Sequence, residues 1–284
     1  MTKVKDKKIR LLGAHISAAG GLLKMLAKAK QLGCNCVQIF ASNPRSWQGQ
    51  PITEKEAKIF KTKQIEYGVE ELIIHAIYLV NLGSPKKEVY EKSIQALKND
   101  LLSATRLGVK KIVVHPGSDL GEPGGEERLL KALRKLEKEI PSGGCFLLEG
   151  MSGTKNSLGN LATLGSLCKE LGKKFGVCLD SAHLWASGYA LDTEVGFNKL
   201  IKDLKKYNLY SCVKCIHLND SKKLCGSHRD MHENLGKGFI TSQGLSNMLN
   251  YNKFKLLPFI IETPGFENQG PDKKNMQIMK NMAE

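Results

Sequence analysis

The sequence predicts an α/β chain folded as a single-domain (β/α)8 TIM barrel. Three observations carry that expectation: eight short apolar runs, a lysine-rich amphipathic segment after each, and no linker, repeat or low-complexity tract across 284 residues. The runs are IRLLGAHI, CVQIFA, ELIIHA, KIVVHP, CFLLEG, FGVCLD, CIHLND and PFIIET. Each is nearly continuous in apolar residues, the pattern of parallel strands covered on both faces. Helices are expected over 19–32, 53–67, 85–107, 125–138, 160–171, 195–206, 241–249 and 272–282. In the third, Ile94, Leu97, Leu101 and Leu102 recur at helical spacing. Ser84 before Pro85 offers an N-cap and a first-turn proline. Eight such units in about 280 residues suit a closed barrel better than an open doubly wound sheet, the alternative. One domain is read over 1–284, with its core at 9–283 behind a basic extension, 1–8.

Composition narrows the function classes. No segment approaches the apolar length of a membrane span, and the stretch after the basic N-terminus is too short for a signal peptide. Most of the eight cysteines sit inside apolar runs, as small buried hydrophobes of a reducing compartment, so a cytoplasmic protein is expected. Cys212 and Cys215 form a CxxC, but on a strand residues three apart face opposite ways and cannot grip one metal. The formal charge of +15 favours a polyanionic partner, nucleic acid above all. That push is modest, because lysine dominates the excess and no block of like charge concentrates it.

The ends of the runs carry the chemistry. They stop at His15, His75, His115, Glu149, Asp180, His217 and Glu262, and only the second run lacks such a residue. In a barrel these positions share the C-terminal mouth, where active sites are built. Six of the seven histidines, all but His228, fall at strand ends or in the loops after them. The loop DSAHLWASGY adds His183, and HRDMHENLG adds Asp230 and His232. Crowded carboxylates repel unless a cation or proton intervenes. Imidazole with carboxylate and no thiolate is the donor set of catalytic zinc, or of manganese or iron. The candidate ligands are His75, His115, Glu149, Asp180, His183, His217, Asp230, His232 and Glu262. Nine exceed the needs of one ion and suit two or three, especially if Glu149 bridges a pair. A multinuclear hydrolytic centre is expected.

Read in order, GAHISAAGG, HAIYLVNLG, HPGS, LLEG, CLDSAH, IHLND, GSHRDMHENLG and IIET resemble the successive motifs of endonuclease IV. These are apurinic/apyrimidinic endonucleases on a xylose-isomerase-like barrel. The resemblance runs from His15 to Glu262 and implies three zinc ions per chain, with manganese or iron as alternatives at some positions. It implies that His75, His115 and Glu149 hold the first ion. Glu149, Asp180, His217 and Glu262 would hold the second, and His183, Asp230 and His232 the third. The implied reaction is cleavage 5′ to an abasic site in double-stranded DNA, leaving a 3′-hydroxyl and a 5′-deoxyribose phosphate, with trimming of blocked 3′ ends. Glu149 would orient or deprotonate the attacking water, and Arg45, Tyr78 and Leu79 would penetrate the base stack, with Trp47 beside them. No membrane and no organic cofactor are implied, and a monomer with its own complete site is the simplest assembly.

The sequence departs from the family pattern at Gly150-Met151-Ser152, where Asn-Thr-Ala is usual, and at Ile77, Ala190, Met231 and Lys237. None is a ligand candidate; they bear on how ligands are oriented and DNA is held. Two other readings fit parts of the pattern: a two-metal sugar isomerase or epimerase, and a damaged-DNA-binding protein without turnover.

Overall fold

The apolar runs close on themselves as eight parallel strands in the computed structural model, which describes residues 9–283. In chain order the elements begin with β1 (Leu12–His15), α1 (Leu22–Leu32), β2 (Cys36–Phe40), α2 (Glu54–Gln64) and β3 (Glu71–His75). Next come α3 (Lys87–Leu107), β4 (Lys111–Val114), α4 (Gly125–Glu137), β5 (Cys145–Glu149), α5 (Leu161–Leu171) and β6 (Phe175–Asp180). Then follow α6 (Ser181–Ala186), α7 (Glu194–Lys206), β7 (Val213–His217), β8 (Asp220–Ser221) and β9 (His232–Glu233). α8 (Thr241–Asn250), β10 (Phe259–Ile261) and α9 (Lys273–Met282) complete the chain. The barrel runs β1 to β7 and then β10, which closes it by pairing Leu12 with Phe259. The extension 1–8 lies outside the described residues. Among those described, no helix is long and apolar enough to cross a membrane.

The strand period of two explains how one sequence fills the barrel and arms its mouth. Cys36, Ile73, Val113, Leu147, Cys178, Cys215 and Ile260 point inward and are fully buried together. Two residues further on stand Gln38, His75, Glu149, Asp180 and His217 on the same strands, with His115 and Glu262 one residue past the ends of β4 and β10. An apolar layer thus supports a polar one. Outside the sheet, Leu97, Leu101 and Ala104 of α3 and Leu129, Leu133 and Leu136 of α4 belong to the main core. Each fully buried leucine of that shell contributes about 1.5–3 kcal/mol.

Element ends depart from expectation for local reasons. α1 starts at Leu22 rather than residue 19, because Gly20 and Gly21 take φ of 86° and 100°. Ser84 does not cap α3; its hydroxyl accepts from the Lys86 N–H at 3.2 Å in a turn, and Lys86 is the cap position. At α2, by contrast, Thr53 and Glu56 form a full capping box. DSAHLWASGY, read as a loop, contains α6, and the segment after β7 contains the antiparallel ribbon β8–β9. Cys212 packs against the outer core and Cys215 faces the barrel interior, so the CxxC is no chelate.

Asp220 anchors that ribbon. Its buried carboxylate accepts four backbone N–H groups, from Ser221, Gly236, Gly238 and Ile240, at 2.8–3.0 Å. Asp220→Ala strands all four donors, so a loss of about 3 kcal/mol is expected, read as a lowered urea midpoint.

Candidate metal centre

Glu149, at the tip of β5 and 1% exposed, stands at the centre of the mouth. Its Oε2 lies 3.1 Å from His75 Nε2 and 3.0 Å from His115 Nε2. Its Oε1 lies 3.1 Å from His217 Nδ1 and 3.4 Å from His183 Nδ1. Burial alone would raise the pKa of this carboxyl, yet His217 and His115 reverse the sign and hold it well below the usual range.

Asp180 and Glu262 flank it. Asp180 Oδ2 accepts from Asn219 Nδ2 at 2.7 Å and lies 3.9 Å from His217 Nδ1 and 3.6 Å from His232 Nε2. Its other oxygen caps α6 by accepting the His183 N–H at 2.9 Å. One aspartate thereby sets the helix that carries His183. Glu262 Oε2 lies 3.5 Å from His217 Nδ1, while its Oε1 meets His15 Nδ1 at 3.0 Å. At the outer edge Asp230 spans two histidines, 3.1 Å from His183 Nε2 and 3.1 Å from His232 Nε2.

All nine candidates therefore converge. Their donor atoms fall into compact groups within 4.8 Å: His75, His115, Glu149; Glu149, Asp180, His217, Glu262; and Asp180, His183, His232. The third group differs from the expected set, because Asp180 joins it and so is shared with the second group. Asp230 closes it from outside. His228 stays apart, exposed at φ 53° with its N–H on Ala186 O.

The residues fit divalent cations. His232 Nε2 is turned between two carboxylates, 3.1 Å from Asp230 and 3.6 Å from Asp180, an imidazole–carboxylate donor set that suits a cation. Burial would lower the pKa of His217, His183 and His232, but the carboxylates outweigh it. Glu262 and Glu149 push His217 well above its ordinary value, Asp180 and Asp230 do the same to His183, and His232 rises to about 9. The carboxylates thus draw positive charge onto His217, His183 and His232, which ions of the type bound by imidazole and carboxylate would supply instead.

Gln38 was missed by sequence reasoning. Fully buried on β2, it accepts from His217 Nε2 through Oε1 at 2.8 Å and donates to Glu262 Oε1 at 2.8 Å. With a cation in place of the second imidazolium proton, Gln38 keeps the remaining His217 proton on Nε2, so that Nδ1 is the atom offered towards Glu149, Asp180 and Glu262. The available signal was an amide inside an otherwise apolar strand. Gln38→Ala is expected to weaken metal binding about 10–100-fold in a chelator competition. Asn219 acts similarly, holding Asp180 and accepting the Glu262 N–H at 2.7 Å.

Glu149 and six other ligand candidates line a cavity of about 460 Å3. His15, Phe40 and Tyr78 also line a neighbouring cavity of about 650 Å3 that contains Arg45. Tyr78 is 64% exposed, its ring edge-on to Phe40 at 4.9 Å. Leu79 and Trp47 are half-buried against the core. At the departure after Glu149, the Gly150 carbonyl accepts from His183 Nδ1 at 2.8 Å, a backbone contact indifferent to the missing side chain.

The family model described as xylose isomerase-like TIM barrel matches residues 26–282. A probable endonuclease 4 of Halothermothrix orenii is 35% identical over 274 residues, covering 95% of this chain and 99% of that protein. A probable endonuclease 4 of Chloroflexus aurantiacus is 35% identical over 279 residues, covering 96% and 98%. The crystal structure of endonuclease IV from Thermus thermophilus superposes with a TM-score of 0.84 at 34% identity, covering 96% and 98%. A D-tagatose 3-epimerase-like protein reaches 0.71 at only 18% identity over 96% of this chain and 97% of its own, a likeness of fold alone. With these matches spanning almost its whole length, the chain belongs to the endonuclease IV family of xylose isomerase-like barrels.

Proposed function

We propose that this chain is a zinc-dependent apurinic/apyrimidinic endonuclease of DNA base-excision repair. It cuts double-stranded DNA 5′ to an abasic site, leaving a 3′-hydroxyl and a 5′-deoxyribose phosphate, and trims blocked 3′ ends. The observation that carries the reading is the third donor group, Asp230 with His183 and His232, built beside two others in one mouth. The endonuclease names of relatives at about one-third identity over nearly full length support it.

His75, His115 and Glu149 would hold one ion, Glu149, Asp180, His217 and Glu262 a second, and His183, Asp230 and His232 a third, with Asp180 within reach of the last. Bound there, the ions supply Lewis acidity towards an anionic phosphodiester and make water a competent nucleophile near neutral pH. Glu149, central and desolvated, orients that water and draws its proton. Gln38 and Asn219 hold Glu262, His217 and Asp180 in the aim this requires. Arg45 and Tyr78 stand at the lip, where a flipped sugar must enter, and Leu79, next to Tyr78, would join them in penetrating the base stack. Since one chain carries every part, a monomer suffices. Free cysteines suit a reducing cytoplasm.

The test is incision of a labelled duplex containing one abasic analogue: one cut 5′ to the lesion is expected, and an undamaged duplex should stay intact. Uniform degradation of both strands would overturn lesion recognition. Tyr78→Ala and Arg45→Ala should each raise KM for that duplex about tenfold, with a smaller change in kcat, because both act on DNA binding at the lip. The sugar-isomerase reading leaves Asp230, His183 and His232 without a task.

A further inference from the structure

Directly beneath the metal centre, the barrel interior carries a second set of donors. Cys178 on β6 and Cys215 on β7 are register partners on neighbouring strands, both fully buried. Each stands two residues before a ligand candidate, Asp180 and His217. The two sulfurs and a ring nitrogen of His217 lie within 4.8 Å of one another. Both thiols are free.

We propose that Cys178, Cys215 and His217 form a separate site for a soft divalent d10 cation, cadmium or mercury(II), and that filling it disables the centre above. Thiolate sulfur selects soft ions, whereas the carboxylate–imidazole layer suits harder ones. The binding step releases both thiol protons and forms two metal–sulfur bonds: M2+ + 2 RSH → M(SR)2 + 2 H+. The product is electrically neutral, which suits its surroundings of Cys36, Ile73, Val113, Leu147 and Ile260. A monovalent ion on the same two thiolates would leave a buried net negative charge, a worse fit. Both thiols are fully buried among apolar side chains, so only an ion of high thiolate affinity displaces their protons.

His217 is the link between layers. Its Nε2 is engaged by Gln38 and its Nδ1 faces Glu149, so it cannot serve a lower ion without leaving the upper group. The loss of function rests on the proposed metal centre; the thiol site itself does not.

The experiment titrates zinc-loaded protein with cadmium in a Cys225→Ser background, which removes the exposed thiol. It reads the ultraviolet thiolate-to-cadmium charge-transfer band, proton release and incision together. Saturation at about one equivalent, with two protons released and incision lost over the same range, is expected. Cys215→Ser and, separately, Cys178→Ser should each weaken the band's cadmium affinity at least about tenfold and leave incision cadmium-resistant. A band unchanged in both variants, or no band at about tenfold excess cadmium, overturns the site. A band that both variants abolish, in a protein that never incises DNA, upholds the thiol site and sinks the nuclease reading.

Discussion

Glu149→Gln is expected to lower incision at an abasic site by about 10³-fold, measured in single turnover. Glu149 is the one carboxylate within 3.4 Å of His75, His115, His183 and His217. It belongs to both the first and second donor groups. The amide keeps the shape but removes the charge and turns an NH2 towards nitrogens that would ligate cations. Metal content should fall from three ions towards the single one whose group lacks Glu149. Unfolding should change little, because the apolar layer beneath is untouched. A variant with full metal content and a rate within a few-fold of the parent would remove Glu149 from the chemistry.

Asp230→Asn is expected to remove one ion of three and lower incision about 100-fold, while the other two ions stay. Among the described residues Asp230 pairs with His183 and His232, both at 3.1 Å, and it takes no part in the Glu149 groups. Its carboxyl is held well below the ordinary range. Burial opposes this, and the hydrogen bonds of His183 and His232 outweigh it. The asparagine removes that anion, leaving Asp180, with Glu149 for His183 and Glu262 for His232, to draw positive charge to the pair. Metal analysis beside the incision rate checks the result. Three retained ions with an unchanged rate would make Asp230 a bystander and reopen the two-metal reading.

Much of this was legible because a parallel barrel strand is a simple object. Inward residues alternate, the last one before the loop reaches the mouth, and seven of eight runs end on His, Asp or Glu. Gln38 was not legible. It sits two residues before the strand's end, and an amide there was hidden by the valine, isoleucine and phenylalanine around it. α6 was not legible either, since six residues are too few for a helical period and its start is set by Asp180, which reads as a ligand. The sharing of Asp180 with His183 and His232 depends on how α6 folds back over β6, a tertiary fact with no local signature. Ser84 shows the opposite error, a cap-like sequence that the chain uses as a turn.

The central claim is that three metal ions act together in one mouth to cut DNA. The most direct measurement reconstitutes metal-free protein with zinc and follows incision of an abasic duplex against equivalents added. The account predicts little incision through two equivalents and a rise that saturates at the third. Full incision at one or two equivalents, or none at three, would contradict it.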